Sequence, residues 1–252
     1  MQTIAVIQAR MSSTRLPGKI LEPIEGRPLL AWTIAAVRAV PEVDDVVLGT
    51  TDRPEDDAVA EAMRDLDVRV HRGSVHDVLR RVADAVRPLE PDVVLRQTGD
   101  NPFADPEIMS AQLVRLDEGP FDYVGIAGLP LGIGAEAVRA EALWIAAREA
   151  TEPADREHVL PFVYARPERF AIGSLAEVPA WRHPRYTVDT AADLAFARAV
   201  AARLPGREPP AHLATLEAIL AEDPGLAQMN AAIVQRGHRE AEPTQRSAAE
   251  ET

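Results

Sequence analysis

Residues 4–7, Ile4-Ala5-Val6-Ile7, form an unbroken apolar run of strand length, and runs of the same kind return at 46–48, 68–71 and 92–96. Runs that are continuous rather than alternating are typical of strands covered on both faces. Between them, apolar positions recur at helical spacing over 29–40, 55–66 and 76–86. Pro28 suits a first helical position, and Pro41 stops the first of these helices. Strand and helix alternate in this way through the first hundred residues, which predicts an α/β, doubly wound, mostly parallel sheet. Right-handed crossovers then bring the carboxyl ends of the strands to one edge, where Lys19, Asp52, Arg72 and Asp100 can converge.

From residue 106 the pattern loosens. It predicts a helix over 106–116, a strand over 123–127 and a glycine-spaced segment over 131–138 that can pair with it. Helices follow over 141–150 and 157–164, then a strand over 169–173. The stretch 186–189 is expected to rejoin the sheet ahead of a helix over 191–204. After a linker at 206–210, residues 211–235 read as helical. One domain over 1–237 is expected, with a disordered tail over 238–252 where the sequence turns polar and rich in Ala and Glu.

Charge narrows the partners. The net charge of −13 makes the surface as a whole repel nucleic acid, so a polyanionic ligand must be small and met by a local cationic pocket. No apolar run approaches membrane-spanning length, and no membrane partner is expected. The absence of cysteine excludes disulfides, thiolate zinc sites and thiol nucleophiles. With Met1-Gln2-Thr3 leading straight into a strand, the expected location is the cytoplasm, without a signal peptide.

The local pocket is legible after the first strand. Ala9-Arg10-Met11-Ser12-Ser13-Thr14-Arg15-Leu16-Pro17-Gly18-Lys19 combines three hydroxyls, a Pro-Gly turn and three cations at the place where phosphates bind in α/β sheets. Of the 27 basic residues Lys19 alone is lysine, which points to a compact, rotatable ammonium where a planar guanidinium would not serve. A Walker A loop is excluded, because Ser13 stands where its first Gly should be and Ile20 follows the Lys. A dinucleotide loop is excluded too, since no Gly lies between Met1 and Pro17. Further along, Thr98-Gly99-Asp100-Asn101-Pro102 presents a carboxylate in a tight turn at a strand end. Asp189 or Thr190 can cap the helix that follows them, with Asp193 favouring its N-terminal dipole.

The loop Ala9-Arg10-x-x-Ser13-x-Arg15-Leu16-Pro17-Gly18-Lys19 resembles the signature of the cytidylyltransferases that activate acidic sugars, and is most similar to the spore-coat-polysaccharide type, related to the CMP-sialic acid and CMP-Kdo (3-deoxy-manno-octulosonate) synthetases. Gly99-Asp100-x-Pro102 and Asp189-Thr190-x-x-Asp193 match two more segments of that family. The resemblance implies a Rossmann-like fold with a small inserted dimerisation and acceptor lobe at about 121–180. It implies Mg2+ held by Asp100 and Asp189, with Lys19 and Arg10 as catalytic cations on the α-phosphate and the departing pyrophosphate. Ala9, Ser12, Ser13, Arg15, Gly18, Arg72, Arg96 and Thr98 would complete the nucleotide site, and Glu136, Arg156 and His158, with Glu157, the acceptor side. The expected reaction transfers CMP from CTP to an acidic sugar and releases pyrophosphate, in a homodimer. A phosphonate or other non-sugar hydroxyl is an alternative acceptor, and a catalytically idle nucleotide-binding scaffold is the alternative of another class. The remaining histidines considered, His71, His76, His183 and His212, show no metal-ligand spacing.

Overall fold

The structure is a computed structural model, which describes residues 1–175 and 185–233. Strands β1 (Thr3–Gln8), β4 (Asp45–Thr51), β5 (Arg69–Gly73) and β6 (Val93–Thr98) align in parallel in the order β5-β4-β1-β6. A two-stranded ribbon, β2 (Pro23–Ile24) with β3 (Arg27–Pro28), sits apart. Helices α1 (Leu29–Arg38), α2 (Asp57–Ala62) and α3 (Val78–Val86) make the crossovers. The apolar runs are buried because both faces are covered: Ile4 and Val6 pack towards α3, Ala5 and Ile7 towards α1.

Beyond α4 (Pro106–Glu118), strands β7 (Tyr123–Gly125), β8 (Glu136–Arg139) and β9 (Ile172–Ser174) extend the same sheet in the order β6-β8-β7-β9. Strand β8 runs antiparallel to both β6 and β7, and β9 is parallel to β7, so β8 is the one reversed strand of the seven. The segment expected as a lobe is therefore built onto the main sheet. Its helices α5 (Ala140–Glu149) and α7 (Pro161–Tyr164) share the hydrophobic core on the α3 side, and α6 (Pro153–His158) packs against α3 itself. Helices α8 (Ala191–Ala201) and α9 (Leu213–Glu222) belong to a separate core around Trp32, Phe103 and Tyr186.

Three expectations are corrected. Residues 186–189 do not join the sheet, because β8 already occupies the side of β6. They run as an extended segment across the strand ends, with Tyr186 N bonded to Leu131 O at 2.7 Å and Val188 N to Asp100 O at 2.9 Å. The helix expected over 157–164 is broken at Val159, whose φ of 77° lies outside helical space, ahead of Pro161. The helix expected over 211–235 ends at Glu222, shortly before Pro224. His183 and the tail over 238–252 lie outside the described residues. Among the described residues, no helix is long and apolar enough to cross a membrane.

Candidate active site

The loop after β1 is shaped before it is charged. Met11 O accepts from both Ser13 N (3.0 Å) and Gly18 N (2.9 Å), which folds residues 11–18 into a closed turn. Gly18 makes the turn possible with φ 74°, a left-handed conformation that glycine adopts without steric cost. Asp56 Oδ1 accepts from Met11 N at 2.6 Å and ties the loop to the end of β4. Lys19, next in sequence, is thereby turned inward, and its side chain is nearly buried.

Its ammonium meets three acceptors. Nζ lies 2.6 Å from Asp100 Oδ2, 2.8 Å from Asp189 Oδ1 and 2.7 Å from Val188 O. Asp100 is delivered by the turn after β6, where a Cβ on Gly99 would stand 2.8 Å from Ala9 Cβ and 2.9 Å from Leu30 Cδ1. Thr33 Oγ1 clamps that turn from α1 through Gly99 O and Asn101 O, each at 3.1 Å. Asp189 arrives on the extended segment ahead of α8. Burial alone would lower the pKa of the Lys19 ammonium, but the charges and hydrogen bonds of Asp100 and Asp189 outweigh it and hold the pKa above its ordinary value. Burial likewise disfavours the charged Asp189, yet Lys19, Arg15 and Arg185 together keep its carboxyl below the usual range.

Around this centre lies a cavity of about 830 Å3, lined on one side by Ala9, Arg10, Ser12, Ser13, Arg15 and Lys19. Thr98 lines it as well. On the far wall Arg96 of β6 and Glu136 of β8 face each other across the antiparallel ladder and form an ion pair. Gln8 Oε1 accepts from Arg96 Nη2 at 2.8 Å, and Tyr123 Oη donates to Glu136 Oε1 at 2.7 Å. Burial, with the Glu136 charge next, pushes the Tyr164 phenol up to about 12, so both tyrosines on this wall remain donors at neutral pH. Glu157 and His158 close the same side.

Three candidate residues do not line the cavity: Arg72, Arg156 and Gly18. Arg72 points along β4, with Nε donating to Thr51 O (2.9 Å), Nη2 donating to Arg53 O (2.7 Å) and an ion pair to Asp57. Arg156 caps the end of α5 through Ala150 O (2.8 Å) and Ala147 O (3.0 Å) and reaches Asp77 at 3.3 Å, which fastens α6 to α3. Gly18 shapes the loop without lining the cavity.

Sequence reasoning missed Arg185, whose buried guanidinium sits 2.5 Å from Asp189 Oδ2 and 3.2 Å from Asp193 Oδ1. It also missed Asn230, which donates to Asp193 Oδ1 (3.1 Å) and Arg185 O (3.0 Å). Only the i, i+4 spacing of Arg185 and Asp189 offered a signal, and in a segment outside any helix that spacing carries no geometry. Asp105, Glu107 and His212 are the other ligand-type cluster among the described residues. Asp105 there caps two helices at once, accepting from Glu107 N (2.8 Å) and Leu213 N (2.7 Å).

A family model described as Cytidylyltransferase matches residues 4–233. The chain belongs to the cytidylyltransferase family. It is similar to the spore coat polysaccharide biosynthesis protein SpsF of Bacillus subtilis, 34% identical over 230 residues that cover 88% of this chain and 95% of the relative. It is 41% identical over 109 residues, 42% of each chain, to a 3-deoxy-manno-octulosonate cytidylyltransferase of Chlorobium phaeobacteroides. A cytidylyltransferase structure from Leptospira borgpetersenii superposes with a TM-score of 0.83 at 26% identity, covering 93% of this chain and all of the other. This cytidylyltransferase is therefore a nucleotidyltransferase with a Rossmann-like sheet, and its cavity opens where nucleotides bind in such sheets, at the carboxyl ends of the strands.

Proposed function

We propose that the protein transfers CMP from CTP to a hydroxyl of an acidic sugar of the nonulosonate or Kdo type, releases pyrophosphate, and depends on magnesium held by Asp100 and Asp189. The observation that carries this reading is the single ammonium of Lys19 joining Asp100 and Asp189 at the wall of a cavity whose rim is the cationic loop. Both carboxylates are hard oxygen ligands, and Asp100 Oδ1 is buried with no hydrogen-bond partner, a donor set that suits a divalent cation. Magnesium in such a site supplies Lewis-acid polarisation of a phosphoryl oxygen.

The chain's own groups do the rest. Arg10, Arg15, Ser12 and Ser13 gather the triphosphate, and Lys19 neutralises charge on the α-phosphate and the leaving pyrophosphate. The acceptor hydroxyl passes its proton to water as its oxygen bonds to the α-phosphorus, and the bond from that phosphorus to the bridging oxygen breaks, its electron pair leaving with pyrophosphate. Glu136, held by Arg96 and Tyr123, orients acceptor hydroxyls in the same cavity that His158 lines. Positioning and charge compensation provide the rate enhancement, with no covalent intermediate.

Incubation with each of the four nucleoside triphosphates, magnesium and a panel of acidic sugars and phosphonates tests this reading, with products identified by mass. A CMP-linked acidic sugar formed with CTP is the expected result. Product only from another nucleotide, or pyrophosphate release without any adduct, overturns it. We also propose a homodimer, supported by the family resemblance and by the edge strand β9, whose free side is unpaired among the described residues. Light scattering on the eluting peak should give twice the mass of the 27.4 kDa chain.

A further inference from the structure

Helix α3 sets another guanidinium into the cavity wall, and the reaction outlined above does not use it. Arg81 is only 3% exposed, on the face of α3 that also buries Val78 and Val82. Room for its stem exists because residue 73 has no side chain: a Cβ there would stand 3.2 Å from Arg81 Cγ. One Nη donates to Ser74 O, while the buried Nε has no partner.

No carboxylate lies within ion-pair range of Arg81 among the described residues. The charges that face it are mixed: Arg10 repels it most, Asp56 and Asp52 attract it, and Arg96 repels it least. Burial, with Arg10 the next cause, brings its pKa down to about 10, so at neutral pH the folded protein carries a charged guanidinium in an unfavourable setting. A buried cation without an ion-pair partner is destabilising by itself. It becomes favourable when an anion enters beside it and takes the free donor.

We propose that Arg81 is a substrate-binding residue that holds an anionic oxygen of the cavity's ligand, either a nucleotide phosphate or the carboxylate of the acceptor. An uncharged hydroxyl would leave the repulsion between Arg81 and Arg10 in place, whereas an anion between them removes it. The inference rests on the proposed cytidylyl transfer and adds the residue that the outward-facing Arg72 does not supply.

Arg81→Gln and Arg81→Lys in the full chain test it, with calorimetric titration of cytidine and CTP and with KM measured for CTP and for the acceptor. If Arg81 holds a phosphate, Arg81→Gln weakens CTP binding about tenfold or more while cytidine binding is unchanged, since a charge-assisted hydrogen bond contributes roughly 1.5–3 kcal/mol. If it holds the acceptor's carboxylate, the Kd for CTP is unchanged and KM for the acceptor rises by a similar factor. In both cases Arg81→Lys recovers part of the loss, and the melting temperature of Arg81→Gln without ligand is no lower than that of wild type. A folded Arg81→Gln protein with wild-type CTP affinity and wild-type acceptor KM overturns the inference. So does a fall in melting temperature with binding intact, which would mark a structural arginine. If Arg81→Gln does not fold, Arg81→Lys carries the comparison, and wild-type values for it overturn the inference. Wild-type protein that binds no CTP overturns the proposed function instead, and with it the ligand assigned to Arg81.

Discussion

Lys19 is held by two carboxylates and a carbonyl, which makes it a structural bridge, and in the proposed reaction it is also the cation on the α-phosphate. Replacing it with methionine keeps the bulk and leaves Asp100 and Asp189 facing each other without their shared cation. Turnover is expected to fall by about 100-fold or more, the scale of losing one donor aimed at developing charge. Stability should drop by about 3 kcal/mol, as when one partner of a buried ion pair is removed. Steady-state kinetics and urea unfolding of Lys19→Met check the two effects separately; unchanged turnover would remove Lys19 from the mechanism.

The same centre sets a pH dependence. Asp189 has its pKa lowered from 3.8, so its contribution to stability is fully present above that value and is lost as pH falls through the lower folded value. Lys19 has its pKa raised from 10.5, so its contribution is present below that value and is lost only as pH climbs through the higher folded one. Between these limits the cluster contributes evenly. The stability difference between wild type and Asp189→Asn is therefore expected to be constant near neutrality and to shrink below about pH 4. Urea unfolding at pH 7 and pH 3 measures it.

At the scale of elements, the segment carrying Asp189 is the least regular part of the site, since it belongs to no strand and no helix. It is held by backbone bonds to Leu131 O and Asp100 O, and by the capping box in which Thr190 and Asp193 close the start of α8. Gly132 permits the approach: its φ is 93°, and a Cβ there would come within 2.6 Å of Thr187 N and 2.8 Å of Tyr186 C. Gly132→Ala must push the segment away from the strand ends. It should cost activity by an order of magnitude or more and lower the melting temperature, with circular dichroism otherwise preserved. Asn230 acts from farther off, through Asp193 and Arg185, so Asn230→Ala should reduce kcat more than it raises KM for CTP. Equal changes in both would place Asn230 in binding rather than in holding Asp189.

Across the whole molecule, the cavity draws its lining from distant parts of the chain: the β1 loop, α3, β6, β7, β8 and the Asp189 segment. A ligand that spans it bonds to elements supported by three separate hydrophobic clusters, so binding should stabilise the entire fold rather than a local lid. CTP at 100 times its Kd is expected to add about 2.7 kcal/mol, a rise in melting temperature of roughly 5–10 °C for a chain of this size. Thermal unfolding with CTP, and with ATP as control, measures the effect.

Much of this was legible along the chain, and the reason is local. Apolar runs such as Val46-Val47-Leu48 become strands because both faces must be covered, and a Pro-Gly pair ahead of Lys19 makes the same turn whatever surrounds it. The loop cations and the turn at Gly99-Asp100 needed only the strands before them. Other outcomes depended on competition between distant groups. Arg72 turned outward because Thr51 O, Arg53 O and Asp57 met its guanidinium first, and Arg81 turned inward because Gly73 left space. Residues 186–189 stayed out of the sheet because β8 had taken the place beside β6. The pairing of Asp100 with Asp189, and the support that Arg185 and Asn230 give it, exist only once three cores have closed around them, since nothing in the spacing of those residues specifies which side chains will be neighbours.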